Sequence, residues 1–175
     1  MILFLQSSAN LSTCYSYIGI ALRAALRLGL HRSVSANFNP VELETRKRVF
    51  WVVRKMDVHV STIIGLPTML RDEDLDQELP LPVDDEYITP TGVLPMPPNH
   101  VSLMAGVNAH IRLAHIVEKV LKYIYPVKAA NPGLNHTYMV SHTKIREIER
   151  DLQGWMEALP DAFRPGGEAP QPVEK

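Results

Sequence analysis

Residues 39–67 read NPVELETRKRVFWVVRKMDVHVSTIIGLP, and this stretch decides the fold. Asn39 offers an N-cap oxygen, Pro40 suits the first helical position, where a missing N–H costs nothing, and Glu42 stands where a carboxylate completes a capping box. At the other end, Gly65 takes the left-handed position without steric cost, Leu66 folds back on the last turn, and Pro67 cannot continue the helix. Between these signals Val49, Val52, Val53, Met56, Val60, Ile63 and Ile64 gather on one face at helical spacing. Glu44, Arg48, Trp51 and Lys55 gather on the other. The apolar face is expected to point inward, and the tryptophan on the polar side predicts contact on both sides, hence a central helix.

Upstream, a helix is predicted over about 3–28, with Leu11, Cys14, Ile18, Leu22, Ala25 and Leu28 inward and Ser16, Arg23 and Arg27 outward. Gly29 and Leu30 repeat the stop, and His31 is placed to interact with the last carbonyls of that helix. Downstream, periodicity fails from about residue 66 to about residue 99, in a proline-rich segment. Between Asp72 and Glu86 it carries eight carboxylates and no lysine or arginine. It reads as an extended connection running over the helices, and its length marks it as functional or flexible.

Two further helices are predicted, over about 101–125 and about 137–159. The first turns Leu103, Val107, Ala114, Val117, Leu121 and Ile124 inward. The second turns Ile145, Ile148, Leu152, Met156 and Leu159 inward and pairs Glu147 with Arg150 outside. No internal repeat and no strand pair is legible. The predicted fold class is all-α: a bundle or array of about four main helices with a long acidic, proline-rich connecting loop. Residues 1–160 read as the domain and 161–175 as a flexible tail.

Composition narrows the function. At 175 residues, 46% hydrophobic, the chain is long enough for one real core without a disulfide or metal staple. Its single cysteine, Cys14, rules out an intrachain disulfide and any zinc site built on several thiolates, and suits a reducing compartment. A formal net charge of −1 gives no global field toward nucleic acid, so DNA binding by these residues alone is not expected. No apolar run reaches the roughly 18 residues a membrane span requires. The apolar start, Met1 to Leu5, reads as a helix continued from a longer protein.

The candidate chemistry is thin. Asp72, Asp74 and Asp76 have the spacing that opens a calcium loop, but Gln77 and Val83 stand where the loop needs glycine and a bidentate glutamate. No two of the seven histidines share a helix face at metal-binding spacing, and His110, toward the apolar side of its helix, reads as a core histidine. Cys14 reads as an inert small hydrophobe. No nucleophile elbow, phosphate loop or dinucleotide fingerprint occurs. No catalytic, cofactor or metal residue is therefore assigned; His110, Glu118 and the acidic segment are where an enzyme would have to place its groups. The basic cluster Arg46, Lys47, Arg48, Arg54 and Lys55 is expected to hold the acidic segment by intramolecular pairs.

The order Gly29-Leu30-His31-Arg32, then Glu44-x-x-x-Arg48-Val49-Phe50-Trp51, Asp57, Gly65-x-Pro67, Asp72, Asp76 and Pro80 resembles the fungal-specific transcription factor regulatory domain. This is the middle homology region of zinc binuclear cluster regulators, of the xylanolytic-activator type. The resemblance covers about residues 3–85 closely and the later helices by class; within the family it is nearest to regulators of carbon use or stress response. Leu66 stands where the family often has arginine, so no salt bridge is expected there. The resemblance implies an all-helical nuclear domain that regulates a DNA-bound activator, with these signature residues as scaffold. It implies DNA contact only through a six-cysteine zinc module that these residues do not contain, and as partners a small-molecule effector, a coactivator or another part of the full-length regulator. A fragment of this kind is expected to leave apolar faces uncovered, near Leu3 to Leu5 or on the last helix.

Overall fold

The computed structural model describes residue 7 and residues 10–33, 38–125 and 141–166. The described chain is an all-α array of helices α1 (Leu11–Arg27), α2 (Pro40–Ile64), α3 (Leu103–Ile124) and α4 (His142–Glu157). It divides into two compact units, Met1–Ile111 and Arg112–Lys175.

In the first unit, α1 begins where the Asn10 side chain accepts the Thr13 N–H at 3.4 Å. Its inner stripe is Cys14, Ile18, Leu22 and Ala25, as the spacing predicts. Leu28, expected inward, is exposed, because it is the C-cap residue and the chain turns away at Gly29 (φ +67°). The Leu30 N–H then reaches back to the Ala25 carbonyl at 3.0 Å and buries its side chain in the core. The part of this helix expected before Leu11 lies outside the described residues, residue 7 excepted.

Helix α2 begins and ends as its sequence dictates. Asn39 Oδ1 accepts the Glu42 N–H and Glu42 Oε2 accepts the Asn39 N–H, each at 3.0 Å. Gly65 adopts φ +70°, and the Leu66 N–H donates to the Ser61 carbonyl at 2.9 Å.

The expected orientation of α2 holds only in part: Val60 is buried, Val53, Met56 and Ile64 pack against the core clusters, and Trp51 makes the expected contact on the polar side. Glu44, Phe50, Trp51, Arg54, Asp57, Val58, Val60 and Ser61 are buried, while Val49, Val52 and Ile63 are exposed. Polar side chains are tolerated inside when each finds a hydrogen-bond or ionic partner. Here the chain after α2 supplies those partners by folding back along the helix. Phe50 and Trp51, edge to face with centroids 5.3 Å apart, add the apolar mass. They join Leu22, Ala25, Leu30, Leu70 and Ile111 in the main core cluster, and Cys14, Ile18 and Val60 form a second.

The segment between α2 and α3 is more structured than its sequence suggests. It contains 3-10 turns at Asp72–Asp74 and Asp85–Tyr87 and a small antiparallel hairpin, β1 (Ile88–Thr89) and β2 (Gly92–Val93). Ile88 lies opposite Val93 and Thr89 opposite Gly92. The Thr89 hydroxyl closes the hairpin, donating to the Gly92 carbonyl at 2.7 Å and accepting its N–H at 3.1 Å. No strand pair was expected, since a Pro-Thr turn lacks the glycine or asparagine that signals a two-residue hairpin.

The second unit holds the end of α3, from Arg112, together with α4. Ile116, Ile148 and Leu159 are buried, and Lys119 pairs with Asp151 at 2.5 Å. Glu147 pairs with Lys144 at 2.9 Å instead of the expected Arg150, and the same ammonium lies 4.3 Å over the Tyr123 ring. Leu152 and Met156 of α4, expected inward, are exposed. The stretch read as the start of the tail is turned at Asp161–Phe163, where Arg164 Nη2 donates to the Glu157 carbonyl at 2.7 Å.

Candidate functional site

The polar face of α2 and the strap that covers it, residues 69–85, bring most of the singled-out residues together. Glu44 is buried near the start of the helix. Its Oε1 accepts the Leu81 N–H at 2.8 Å and Arg48 Nε at 3.2 Å. One turn on, Arg48 donates to the Val83 carbonyl at 2.8 Å and pairs with Asp85. The Trp51 indole N–H donates to the Glu78 carbonyl at 2.8 Å, and Lys47 holds the Glu78 carboxylate at 2.7 Å. That hydrogen bond, reinforced by the lysine charge, keeps Glu78 below the usual carboxylate range.

Deeper along the helix, Arg54 and Asp57 are both buried, 3.7 Å apart. Asp57 Oδ2 accepts the Met69 N–H at 2.9 Å and Oδ1 the Ser61 hydroxyl at 3.4 Å. Burial raises the Asp57 carboxyl above its ordinary value against the opposing pull of the Met69 N–H, the Arg54 charge and Ser61. Arg54 also lies 3.6 Å from Asp72. The spacing Glu44, Arg48, Trp51, then Arg54 and Asp57 thus aims successive side chains at successive strap groups.

The first signature run lies against the same strap. Gln77 Nε2 donates to the Leu30 and Arg32 carbonyls at 2.8 and 2.9 Å, and the Asp76 N–H donates to the His31 carbonyl at 3.2 Å. Asp76 also accepts the Ser33 N–H at 3.0 Å and lies 3.6 Å from Arg32. The Pro67 carbonyl accepts the Tyr15 hydroxyl at 3.0 Å, and the Pro80 carbonyl accepts Asn108 Nδ2 at 2.7 Å. Arg46, not His31, satisfies a carbonyl at the end of α1, reaching Leu28 at 2.9 Å. The basic cluster divides: Lys47, Arg48 and Arg54 pair with the strap, and Lys55 does not.

Three strap fasteners escaped the sequence reading. Gln77 is the uncharged member of an acidic run, and Asn108 interrupts an apolar helix face, so both were visible as exceptions. The third is Asp84, which accepts from Ser102 and contacts His100 Nε2 at 2.5 Å; these bonds lower its carboxyl below the ordinary value. No local signal announces it, because its partners lie beyond the hairpin. His110, expected in the core, is exposed. Partial burial and the charges of Lys55 and His59 nevertheless hold its ring below the usual imidazole value. Cys14 is buried, which pushes its thiol up and leaves it a poor nucleophile.

In the second unit, a groove of about 300 Å³ opens between Arg112, His115, Ile116 and Lys119 of α3 and Asp151, Gly154, Trp155 and Ala158 of the α4 segment. Its lining is a tryptophan and aliphatic groups, edged by Arg112, His115 and the Lys119–Asp151 pair. Nothing lies within 4 Å of where a side chain at Gly154 would begin. Among the described residues, no helix is long and apolar enough to cross a membrane.

The described residues thus define an all-helical scaffold whose charged helix face is covered by a strap of its own chain. The chain is a member of the fungal specific transcription factor domain family, which it matches over residues 1–157. It is 40% identical over 171 residues to Activator of stress genes 1 of Saccharomyces cerevisiae, covering 96% of this chain and 17% of that protein. It is 36% identical over 149 residues to the transcriptional activator protein acu-15 of Neurospora crassa, covering 85% of this chain and 15% of that one. An ABC-transporter-regulating transcription factor of Aspergillus fumigatus is 31% identical over 166 residues, 94% of this chain and 18% of the relative. The chain therefore spans less than a fifth of the length of these relatives. No solved structure matches it.

Proposed function

We propose that this chain is the regulatory part of a zinc-cluster transcription factor, acting in the nucleus and controlling transcription without itself carrying the DNA-binding module. The observation that carries this reading is the family match along nearly the whole chain, together with relatives named as an activator of stress genes, a transcriptional activator and a transcription factor. In it, Glu44, Arg48, Phe50, Trp51, Asp57 and Gly65, with Gly29 to Arg32 and the strap residues Pro67, Asp72, Asp76 and Pro80, are scaffold. They fix α2 and its strap as one body and do no chemistry. DNA is reached only through a zinc module elsewhere in a full-length regulator.

The test is a fusion of residues 1–175 to an unrelated DNA-binding domain, read by a reporter gene in yeast. Regulation that changes with growth condition, and is lost when Arg48→Ala loosens the strap, supports the reading. A reporter indifferent to the fused chain under every carbon source and stress would refute it.

The groove of the second unit favours an effector-sensing form of the same function. Its apolar floor at Trp155, edged by Arg112 and by Lys119 in its pair with Asp151, suits a small aromatic or aliphatic carboxylate held by Arg112. In a Trp51→Phe background Trp155 is the sole tryptophan, and its fluorescence should report titration with such acids. Gly154→Leu, whose Cβ meets nothing within 4 Å, should narrow the groove and abolish that response.

A further inference from the structure

Among the described residues, the side of α2 turned away from the strap exposes a row of apolar side chains. Along it stand Val49, Val52, Met56, His59 and Ile63, separated by three, four, three and four residues. This alternation keeps a seam of side chains facing a second helix over several turns. Val49 is 46% exposed, Val52 40% and Ile63 52%; His59 is exposed, and Met56 is half-buried where it packs against the Cys14, Ile18 and Val60 cluster. In an ordinary surface helix the apolar stripe faces the core. Here the core side is taken by Phe50, Trp51, Arg54, Asp57, Val58 and Ser61, so the valines are left outside by construction and cannot rotate inward without breaking every strap contact.

Charge beside the seam is one-sided. Lys55 and His59 lie on neighbouring turns, and His110 of α3 feels both charges. Among the described residues, none of the three pairs with a carboxylate, whereas Lys47, Arg48 and Arg54 on the strap side all do. Among the described residues the Lys55 charge therefore has no carboxylate partner, and it stands next to exposed apolar surface.

We propose that this seam is a docking surface for an amphipathic α-helix that brings an apolar stripe of matching spacing and carboxylates opposite Lys55 and His59. From Val49 to Ile63 the seam spans about 21 Å at 1.5 Å per residue, so the partner helix needs roughly four turns. Apolar burial supplies the contact, and the carboxylates fix register and direction. The proposal concerns a different face from the strap and the groove, and it does not depend on the effector reading.

The probe is a labelled synthetic helix of 21 residues with leucines at the seam positions and glutamates flanking them, titrated with the full 175-residue chain by fluorescence anisotropy. Saturable binding is expected. Val52→Asp and Ile63→Asp should each weaken it more than tenfold while leaving the urea midpoint unchanged, since both positions are exposed in the free chain. Lys55→Glu should weaken it similarly, and a second peptide with lysine flanks should bind this variant more tightly than the original chain. That exchange separates docking at the seam from loss of folding. Equal binding to all variants, no binding at millimolar chain, or no exchange of preference would overturn the proposal. So would concentration-dependent dimerisation of the chain alone that Val52→Asp abolishes, because the occupant would then be a second copy.

Discussion

Asp57 shows how much one buried carboxylate carries. It holds the Met69 N–H at the start of the strap, accepts from Ser61 and faces Arg54, which is equally buried. Asp57→Ala removes one of the buried guanidinium's two carboxylates, leaving it Asp72, and takes the acceptor from the Met69 N–H, so urea unfolding should show a loss of about 3–5 kcal/mol. The double variant Arg54→Met, Asp57→Leu removes the buried charge with its partner, and it should lose less than the single one. Trp51→Phe removes the N–H to Glu78 and the buried five-membered ring with it, for about 2–3 kcal/mol by the same measurement. The residues of this network were legible as a pattern, because Glu44, Arg48, Trp51 and Asp57 stand out in a valine-rich helix. Their burial was not, since nothing local to α2 encodes the strap that covers them.

At the scale of elements, the ends of α2 were readable and its orientation only in part. Caps are decided within a few residues, by Asn39 with Glu42 and by Gly65 with Leu66, and both closed as expected. At Gly65 the space around a new side chain is open, so Gly65→Ala isolates backbone strain at φ +70°. Thermal unfolding should report a loss of about 1–2 kcal/mol, with no change in contacts elsewhere. Which face turns inward depends on a segment 12 or more residues away, and hydropathy alone favours the valines. The same limit explains the hairpin and the Asp84 contacts, which rest on pairings across the chain. It also explains α4, where Leu152 and Met156 follow the helical period and still lie exposed.

Across the whole molecule, acid should weaken the fold in two stages. His110 is held below its ordinary value, so the folded chain binds fewer protons there than the unfolded chain does. Stability from this group is complete above about pH 6.5 and is lost as pH falls toward the folded value. The urea midpoint should therefore fall on acidification through that window, and His110→Gln should flatten the slope. Glu78, Asp84 and Glu147, also lowered, act further down, losing their contribution as pH drops below about 4.5. Asp57, raised by burial, works in the opposite sense over that range and partly offsets them.

The strap is gripped largely by its spine. Met69 and Leu81 offer their N–H groups, and Glu78, Pro80 and Val83 offer their carbonyls, to side chains of α2 and α3. A main-chain group is the same whatever side chain it carries. Substitution should therefore be permissive along positions 81–83 of the strap, provided no proline removes the N–H of residue 81, and strict at Glu44, Arg48, Trp51, Asp57 and Asn108. Saturation mutagenesis scored on folded yield would reveal this tolerance as a short window between Gln77 and Asp84, whose own side chains fasten the strap: over that window the specificity is written in the helices, and the fastened segment is free to vary its surface.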